Sequence, residues 1–301
     1  IMLADQKYAE AAKWFAKAPK TQLDETAYYQ YIVAEFYSGN AKNALEVARH
    51  GLQKYAGSEY LSRLAVMAAV DQNQFPEALT YSENVMRGKE QKNYNDYYYY
   101  GQALAGNDKF QEAINAYNKC LELKPGEVDP LSKLSAAYAG LGDGDKALDF
   151  QRQYLEKGTN ITSTDWANFA GIYIKMGDQV DSLDHAKAVG YYTQAMDVYE
   201  KMTEKFPTLK DWCWVAEASV ALGKLKDLDK VRDLYMKVAE YEEAKADKSD
   251  ANTKNYLVAA YYFLGYYYAG KNDAETSKSY FEKLIQIDPE NAEAKKALGL
   301  E

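Results

Sequence analysis

A small residue recurs along this chain about every 34 residues, and this period limits the possible folds more than any other feature. The position holds alanine six times and valine or serine in the other two cases, at Ala11, Ala44, Ala78, Ala113, Ala147, Ala195, Val231 and Ser277. The intervals are 33, 34, 35, 34, 48, 36 and 46 residues. In most cases a bulkier residue follows four positions later, which places both on one helix face. A period of this length predicts a solenoid of helix pairs.

The clearest repeat covers residues 94–127 and fits two helices joined by a short turn. Gly101 in the first helix and Ala113 in the second are small, so two antiparallel helices can approach closely there. The predicted turn covers residues 106–109, and Pro125 ends the second helix because proline cannot continue it.

The order of large, small and aromatic residues in this unit resembles the tetratricopeptide repeat. The matching residues are Tyr97, Tyr100, Gly101, Leu104, Ala113, Tyr117 and Pro125. The last unit matches at Tyr261, Leu264, Gly265, Tyr268, Phe281 and Pro289. Two further good matches begin at Val128 and Ser163, and weaker ones at Glu25, Glu59 and Leu209. The resemblance implies an all-α fold, a right-handed superhelical solenoid of antiparallel helix pairs.

The resemblance covers almost the whole chain, so we expect one elongated domain over residues 1–301, with about seven repeats. The expected parts are a half-repeat at 1–24, repeats at about 25–58, 59–93, 94–127, 128–162, 163–208, 209–257 and 258–290, and a closing helix at 291–301. The long intervals predict an insert at 179–190, either helical or functional. They also predict a charged segment at 240–254, where a second helix continues past its normal end into a polar loop.

The resemblance implies a concave groove lined by the first helix of each repeat. The residues expected to contact a partner are Tyr29, Arg63, Met67, Tyr98, Gln102, Glu217, Tyr262 and Tyr266. Further groove positions are Val33, Ser132, Ala136, Ala167, Gly171 and Cys213. This groove would be aromatic at both ends, lined by small residues in the middle and nearly uncharged. Core packing is the alternative role for the 29 tyrosines, and we expect it for more than half of them.

The lysine and asparagine clamp with which some family members capture an acidic carboxyl-terminal peptide is not expected here. Lys133 and Asn168 fall at candidate positions, but small residues occupy the positions that would complete the clamp. The net charge of −9 disfavours nucleic acid as a partner. The longest uncharged stretch, residues 256–270, is too short to span a membrane.

No spacing in the sequence is typical of catalytic chemistry, a cofactor or a metal site. The two histidines, His50 and His185, are far apart, and Asp178, Asp181 and Asp184 lack the spacing of a calcium loop. Cys120 and Cys213 lie in apolar helix patterns and are expected to be buried free thiols. We therefore expect no enzyme, no cofactor and no metal.

The repeats and the tyrosines together predict a non-enzymatic protein–protein interaction scaffold, which binds an extended peptide or a partner helix in its groove. The alternatives are a module of a larger protein that senses a small ligand or a glycan, and an enzyme or a part of one. The composition favours a bacterial source. The chain begins at Ile1 without a visible signal peptide, which we interpret as a processed or truncated start. An exported or periplasmic location is slightly favoured over a cytoplasmic one, while partner, pathway and oligomeric state stay open.

Overall fold

A computed structural model describes residues 7–245 and 250–300, and all regular structure in these two ranges is helical. The sixteen α-helices of the described residues are α1 (Tyr8–Phe15), α2 (Glu25–Tyr37), α3 (Ala41–Lys54), α4 (Glu59–Asp71), α5 (Phe75–Arg87), α6 (Tyr94–Ala105), α7 (Phe110–Leu123), α8 (Asp129–Leu141), α9 (Gly144–Lys157), α10 (Ser163–Val180), α11 (His185–Lys205), α12 (Lys210–Val220), α13 (Leu228–Glu243), α14 (Ala251–Gly270), α15 (Ala274–Ile287) and α16 (Ala292–Ala297). Short 3₁₀ turns occur at Lys20–Gln22 and Pro207–Leu209, and a π-helical turn at Ala221–Leu225.

The chain forms two compact units, Ile1–Gly158 and Thr159–Glu301. In the first unit, α2 packs on α3, α4 on α5, α6 on α7 and α8 on α9, and the first helices of neighbouring pairs also touch. In the second unit the pairs are α10 with α11, α12 with α13 and α14 with α15. The predicted all-α array of helix pairs is therefore confirmed. A single domain over residues 1–301, its handedness and its exact repeat boundaries stay predictions.

The recurrent small residue is buried at all eight positions. Ala44, Ala113 and Ala195 are fully buried. Ser277 holds the same position in α15, and its hydroxyl donates to the carbonyl of Gly265 in α14 at 2.8 Å. The hydroxyl group of Ser277 is tolerated at this buried site because it has a hydrogen-bond partner.

Each helix pair of the first unit turns through one residue with a left-handed backbone. These residues are Gly39, Asn73, Asp108 and Gly142, and Lys226 and Asn272 take the same role in the second unit. An asparagine, aspartate, serine or threonine side chain caps most of the helices that follow a turn or loop, as Asn40 does for α3 and Asp273 for α15. The period of about 34 residues therefore includes turn chemistry as well as core packing.

The extra residues expected at 179–190 lengthen the two helices of their pair. Helix α10 has 18 residues and α11 has 21, which leaves residues 181–184 between them. Of the two possibilities that the sequence left open for this insert, the structure has the helical one.

The charged segment at 240–254 follows the prediction in part. Helix α13 has 16 residues, two more than α3, α7, α9 or α15, so it does continue past the usual end before it stops at Glu243. Most of the extra length, however, lies at the start of α14, which begins at Ala251. Residues 246–249 of this segment lie outside the described residues, as do residues 1–6 of the half-repeat and residue 301 of the closing helix. The correction has a physical reason: Asp250 caps α14 through the Thr253 amide, so the new helix starts there.

Candidate partner-binding site

More than half of the tyrosines are buried or pack against the core, as the sequence predicts. Eight are buried, and five are exposed: Tyr29, Tyr37, Tyr60, Tyr262 and Tyr266. The others are half-buried, with part of the ring against the core and part in solvent. A ring on a crowded helix pair can pack against the core on one side and stay open to solvent on the other.

The first unit contains a cavity of about 350 Å³ between α2, α4 and α6, here called the tyrosine cavity. Its walls include four tyrosine rings, from Tyr29, Tyr37, Tyr60 and Tyr99. Met67 adds a flexible apolar side chain to the walls. Three of the four tyrosines are exposed, so large aromatic surface is open to solvent at this point.

Helical spacing explains how these side chains come together. On α4, Tyr60, Arg63 and Met67 follow one another at intervals of three and four residues, and therefore share a face. On α2, Tyr29 and Tyr37 are eight residues apart, which is about two turns. The first helices of three successive pairs thus direct one face each to the same cavity.

An ion pair inside the cavity wall joins α4 to α6. Arg63 Nε lies 2.8 Å from Asp96 Oδ1, and Arg63 Nη2 lies 3.2 Å from Asp96 Oδ2. Asp96 also completes a capping box with Asn93 at the start of α6. The Asp96 side chain is 3% exposed, so its charge is almost fully removed from water. Among the described residues, Arg63 is the one cation in the cavity wall, and Asp96 already neutralises its charge.

The Tyr99 hydroxyl keeps its proton at neutral pH. Burial raises the pKa of the Tyr99 hydroxyl, and its neighbours Tyr37 and Asp71 raise it further. Tyr99 can therefore donate a hydrogen bond to a bound group.

Three predicted groove residues, Tyr29, Arg63 and Met67, lie together in the cavity. Tyr98 lies outside it: its ring stacks on Tyr94 at 5.7 Å and meets the edge of Tyr117 at 6.3 Å. Tyr99, the next residue, lines the cavity instead. One residue is about 100° of rotation on a helix, so a small change in how α6 is seated decides which ring faces the cavity.

Sequence reasoning missed Tyr37, Tyr60 and Tyr99. A signal existed for two of them, because Tyr37 follows Tyr29 by two helical turns and Tyr60 precedes Arg63 by three residues on the same face. No comparable signal existed for Tyr99, since four tyrosines in a row give no preferred face.

In the second unit, Tyr262 and Tyr266 form an exposed pair on α14 with ring centroids 5.0 Å apart. The Tyr266 hydroxyl donates to Glu293 Oε2 of α16 at 2.6 Å. That hydrogen bond raises the pKa of Tyr266 to about 12. Both side chains are partly open to solvent, while the Tyr266 ring also packs on Phe281 and its hydroxyl already has a partner.

Two predicted groove residues of the second unit are in its interior, which corrects the prediction. Cys213 is fully buried, and Glu217 is 3% exposed with Lys230 Nζ at 2.8 Å from its Oε1. Burial raises the pKa of Glu217, and the hydrogen bond from Lys230 opposes that rise. Glu217 ties α12 to α13 in this way. Its carboxylate needs a cation because an unpaired charge would be costly at that depth.

Cys120 and Cys213 are buried free thiols, as predicted. Burial raises the pKa of Cys120 to about 12 and that of Cys213 to about 11. Among the described residues, no cluster of three or more His, Cys, Asp or Glu side chains could hold a metal ion. In the same two ranges, no helix combines the length and apolar character needed to cross a membrane.

Comparison with known families connects the helix pairs to a known repeat. Residues 94–127 and residues 258–291 each match a family model described as tetratricopeptide repeat. The chain contains tetratricopeptide repeats. The first match covers α6 and α7, and the second begins within α14 and covers α15. The resemblance noted in the sequence is thus confirmed at the two units that match the pattern best.

Solved tetratricopeptide-repeat structures are similar to this chain in fold. The C-terminal part of a TPR repeat-containing protein from Cytophaga hutchinsonii has a TM-score of 0.63 and 19% identity, over 90% of this chain and 99% of that one. A tetratricopeptide repeat protein from Parabacteroides merdae has a TM-score of 0.52 and 14% identity, over 92% of this chain and 98% of that one. No curated protein sequence matches the chain. At these identities the likeness shows the repeat fold alone.

Proposed function

We propose that this tetratricopeptide-repeat chain is a protein–protein interaction scaffold, and that its tyrosine cavity binds an extended peptide or a helix of a partner protein. The observation that carries the proposal is the exposure of Tyr29, Tyr37 and Tyr60 around one cavity. Tyrosine suits such a role, because its ring contributes large rigid contact area and its hydroxyl contributes one polar contact.

The repeat architecture supports a protein partner. Stacked helix pairs offer an extended surface on which another chain can lie, and tetratricopeptide repeats are typically non-catalytic scaffolds. The proposal assigns no catalytic activity to the chain. Peptide backbone groups would find polar contacts at the cavity in Asn95 and in the Tyr99 hydroxyl.

Contacts beyond the cavity belong to the same proposal. Gln102 is half-buried and lies three residues after Tyr99 on α6, where it extends the polar contacts of the cavity. Tyr98 is proposed as a contact at the edge of α6. Tyr262 and Tyr266 are proposed as a separate contact surface in the second unit, with their ring faces as the binding element.

Selection of binders from a display library of random peptides tests the proposal. The selected peptides are titrated against the wild-type chain and the double variant Tyr29→Ala/Tyr60→Ala. We expect affinity to fall by about tenfold or more in the variant, because aromatic anchors contribute most of the energy in such interfaces. Equal affinity for wild type and variant would overturn the cavity as the binding site.

Two controls sharpen this measurement. Leu123→Ala removes an apolar side chain of similar exposure, 47%, at the end of α7 outside the cavity, and is expected to leave binding unchanged. Tyr262→Ala/Tyr266→Ala tests the second unit. If the selected peptides lose affinity only for the Tyr262→Ala/Tyr266→Ala variant, the proposed site lies on α14 and not at the cavity.

A small ligand is the second candidate, and the size of the cavity favours it. A volume of about 350 Å³ lies at the lower end of the range for small-molecule pockets, and the walls are mainly aromatic and apolar. A rise in melting temperature with one member of a panel of sugars and metabolites, lost in Tyr29→Ala/Tyr60→Ala, would support it. Unchanged melting temperatures across the panel would count against it.

A further inference from the structure

The charged side chains of α4 are paired with opposite charges, with one exception. Arg63 pairs with Asp96, as described above. Glu59, at the start of α4, accepts from Lys92 Nζ at 3.1 Å and from the amide of Lys89. Asp71, at the end of α4, is exposed. Among residues 7–245 and 250–300, the one hydrogen bond that its side chain accepts comes from the side-chain amide of Gln72, at 3.1 Å. Helix α4 therefore has one uncompensated charge, and it is negative, although Asp71 is not itself one of the residues that line the cavity.

By helical spacing, Asp71 continues the stripe of α4 whose earlier members line the cavity. It follows Arg63 by eight residues and Met67 by four, and both of those side chains line the cavity. The charge of Asp71 also acts on the hydroxyl of Tyr99, whose pKa rises through burial and through Tyr37 and Asp71. Asp71 is therefore near the end of the cavity where Tyr37 and Tyr99 stand.

The helix ends strengthen the negative field at this place. Tyr37 is the last residue of α2 and Asp71 the last residue of α4. A helix carries partial negative charge at its C-terminus, where a cation is stabilised and a carboxylate is disfavoured. The negative charge of Asp71 therefore does not stabilise the fold at this position. A cation bound beside it would be stabilised both by the carboxylate and by the helix end.

We propose that the partner segment is basic and places an arginine side chain in the tyrosine cavity, between Tyr37 and Tyr99, where its guanidinium pairs with Asp71. The inference rests on the proposed function and specifies the chemistry of the partner. Guanidinium groups stack on aromatic rings and form forked hydrogen bonds with carboxylates, so rings beside a free carboxylate fit arginine better than lysine. The net charge of −9 also attracts a basic segment from a distance.

The test uses the full chain and peptides selected from a random display library. The inference predicts that arginine is enriched among the selected peptides. Replacement of that arginine by citrulline, which keeps the shape and removes the charge, is expected to weaken binding by about three- to tenfold. Asp71→Asn is expected to weaken binding of the arginine peptide by a similar factor and to reduce its dependence on salt.

The matched control is Asp108→Asn. Asp108 is exposed in the turn between α6 and α7, outside the cavity, and asparagine tolerates its left-handed backbone. Binding is expected to be unchanged in this variant. Thermal unfolding separates binding from folding, because Asp71→Asn is expected to leave the melting temperature unchanged or slightly higher.

The outcomes separate the inference from the proposed function. Peptides that depend on Tyr29 and Tyr60 but lack arginine, or that bind Asp71→Asn as tightly as wild type, would overturn the inference and leave the proposed function in place. If no peptide is selected, or none depends on Tyr29 and Tyr60, both the cavity function and the inference fall.

Discussion

At the scale of single residues, Asp96 has two roles that normally belong to different side chains. It neutralises Arg63 in the cavity wall and completes the capping box of α6. A carboxylate with both roles joins α4 to the first turn of α6 at the wall of the tyrosine cavity. We regard Asp96 as the residue on which the geometry of the site depends most.

Asp96→Ala is expected to destabilise the fold by about 2–3 kcal/mol. The variant leaves Arg63 without its partner and removes one hydrogen bond from the cap of α6. The value is below that of a fully buried pair because Arg63 is partly exposed. Denaturant unfolding measures the change, with Asp108→Asn as control. A loss below about 0.5 kcal/mol would contradict the double role.

Gly101→Ala tests the close approach of α6 and α7. A Cβ at position 101 would lie 2.5 Å from Cε1 of Tyr117, which is fully enclosed in the core. We expect a loss of about 1–3 kcal/mol from this overpacking. Gly171→Ala is the matched change, since no atom lies within 4 Å of its Cβ and alanine favours a helix. It should stabilise the fold or leave it unchanged, and equal effects of both substitutions would refute the packing argument.

The dependence of stability on acid can be predicted at Glu77. The hydrogen bonds from Arg49, at 2.8 and 2.6 Å, hold the pKa of Glu77 below its ordinary value, although burial opposes this. Because the folded-state pKa is lowered, the carboxylate stabilises the fold above its ordinary pKa. That stabilisation is lost as pH falls through the folded-state pKa.

Glu77→Gln is therefore expected to lower stability at pH 7 by about 0.5–1 kcal/mol, a modest value because both side chains are partly exposed. It should also reduce the loss of stability between neutral and acidic pH. Urea unfolding at several pH values provides the measurement. A variant whose stability runs parallel to that of wild type at every pH would show that Glu77 makes no such contribution.

At the scale of helices and turns, a left-handed residue connects the two helices of every described pair except α10 and α11. Lys226 is the least suitable occupant of this position, because a lysine with φ of 57° has its Cβ close to the backbone. Asparagine, aspartate and glycine occupy the position in the other pairs where the left-handed turn occurs in the described residues.

Lys226→Gly is expected to raise stability by about 0.5–1 kcal/mol, since glycine relieves the backbone but loses more entropy on folding. Asn272→Gly serves as comparison and should change stability less, because asparagine tolerates this conformation. Differential scanning calorimetry measures both changes. A lower melting temperature for Lys226→Gly would mean that the hydrogen bond from Lys226 Nζ to the Gly223 carbonyl outweighs the strain.

Helix pairs were easier to predict from the sequence than the face that each helix presents. Small residues such as Gly101 and Ala113 allow two helices to approach closely, and they recur at a regular spacing. The pair formed by α6 and α7 could therefore be predicted from the sequence together with its turn. Tyr98 and Tyr99 differ by one residue and by about 100° around the helix, and no pattern in a run of tyrosines distinguishes them. Glu217 was placed at the surface by its position in the repeat, while its pairing with Lys230 depends on tertiary packing.

At the scale of the whole molecule, charge and aromatic surface point to one kind of partner. The chain has 45 acidic and 36 basic side chains, and the described structure exposes tyrosine rings in both of its units. An acidic chain with an aromatic cavity suits a basic segment that has little structure of its own. Such a segment gains from long-range attraction before contact and from ring stacking after it.

Photo-crosslinking of a bound peptide tests the central claim most directly. A selected peptide with one photoreactive residue is bound to the wild-type chain and irradiated, and the linked fragments are identified by mass spectrometry. We expect crosslinks in the fragments that contain Tyr29, Tyr37, Tyr60 or Tyr99, and their loss in Tyr29→Ala/Tyr60→Ala. Crosslinks confined to residues 159–301, or unchanged in that variant, would contradict it.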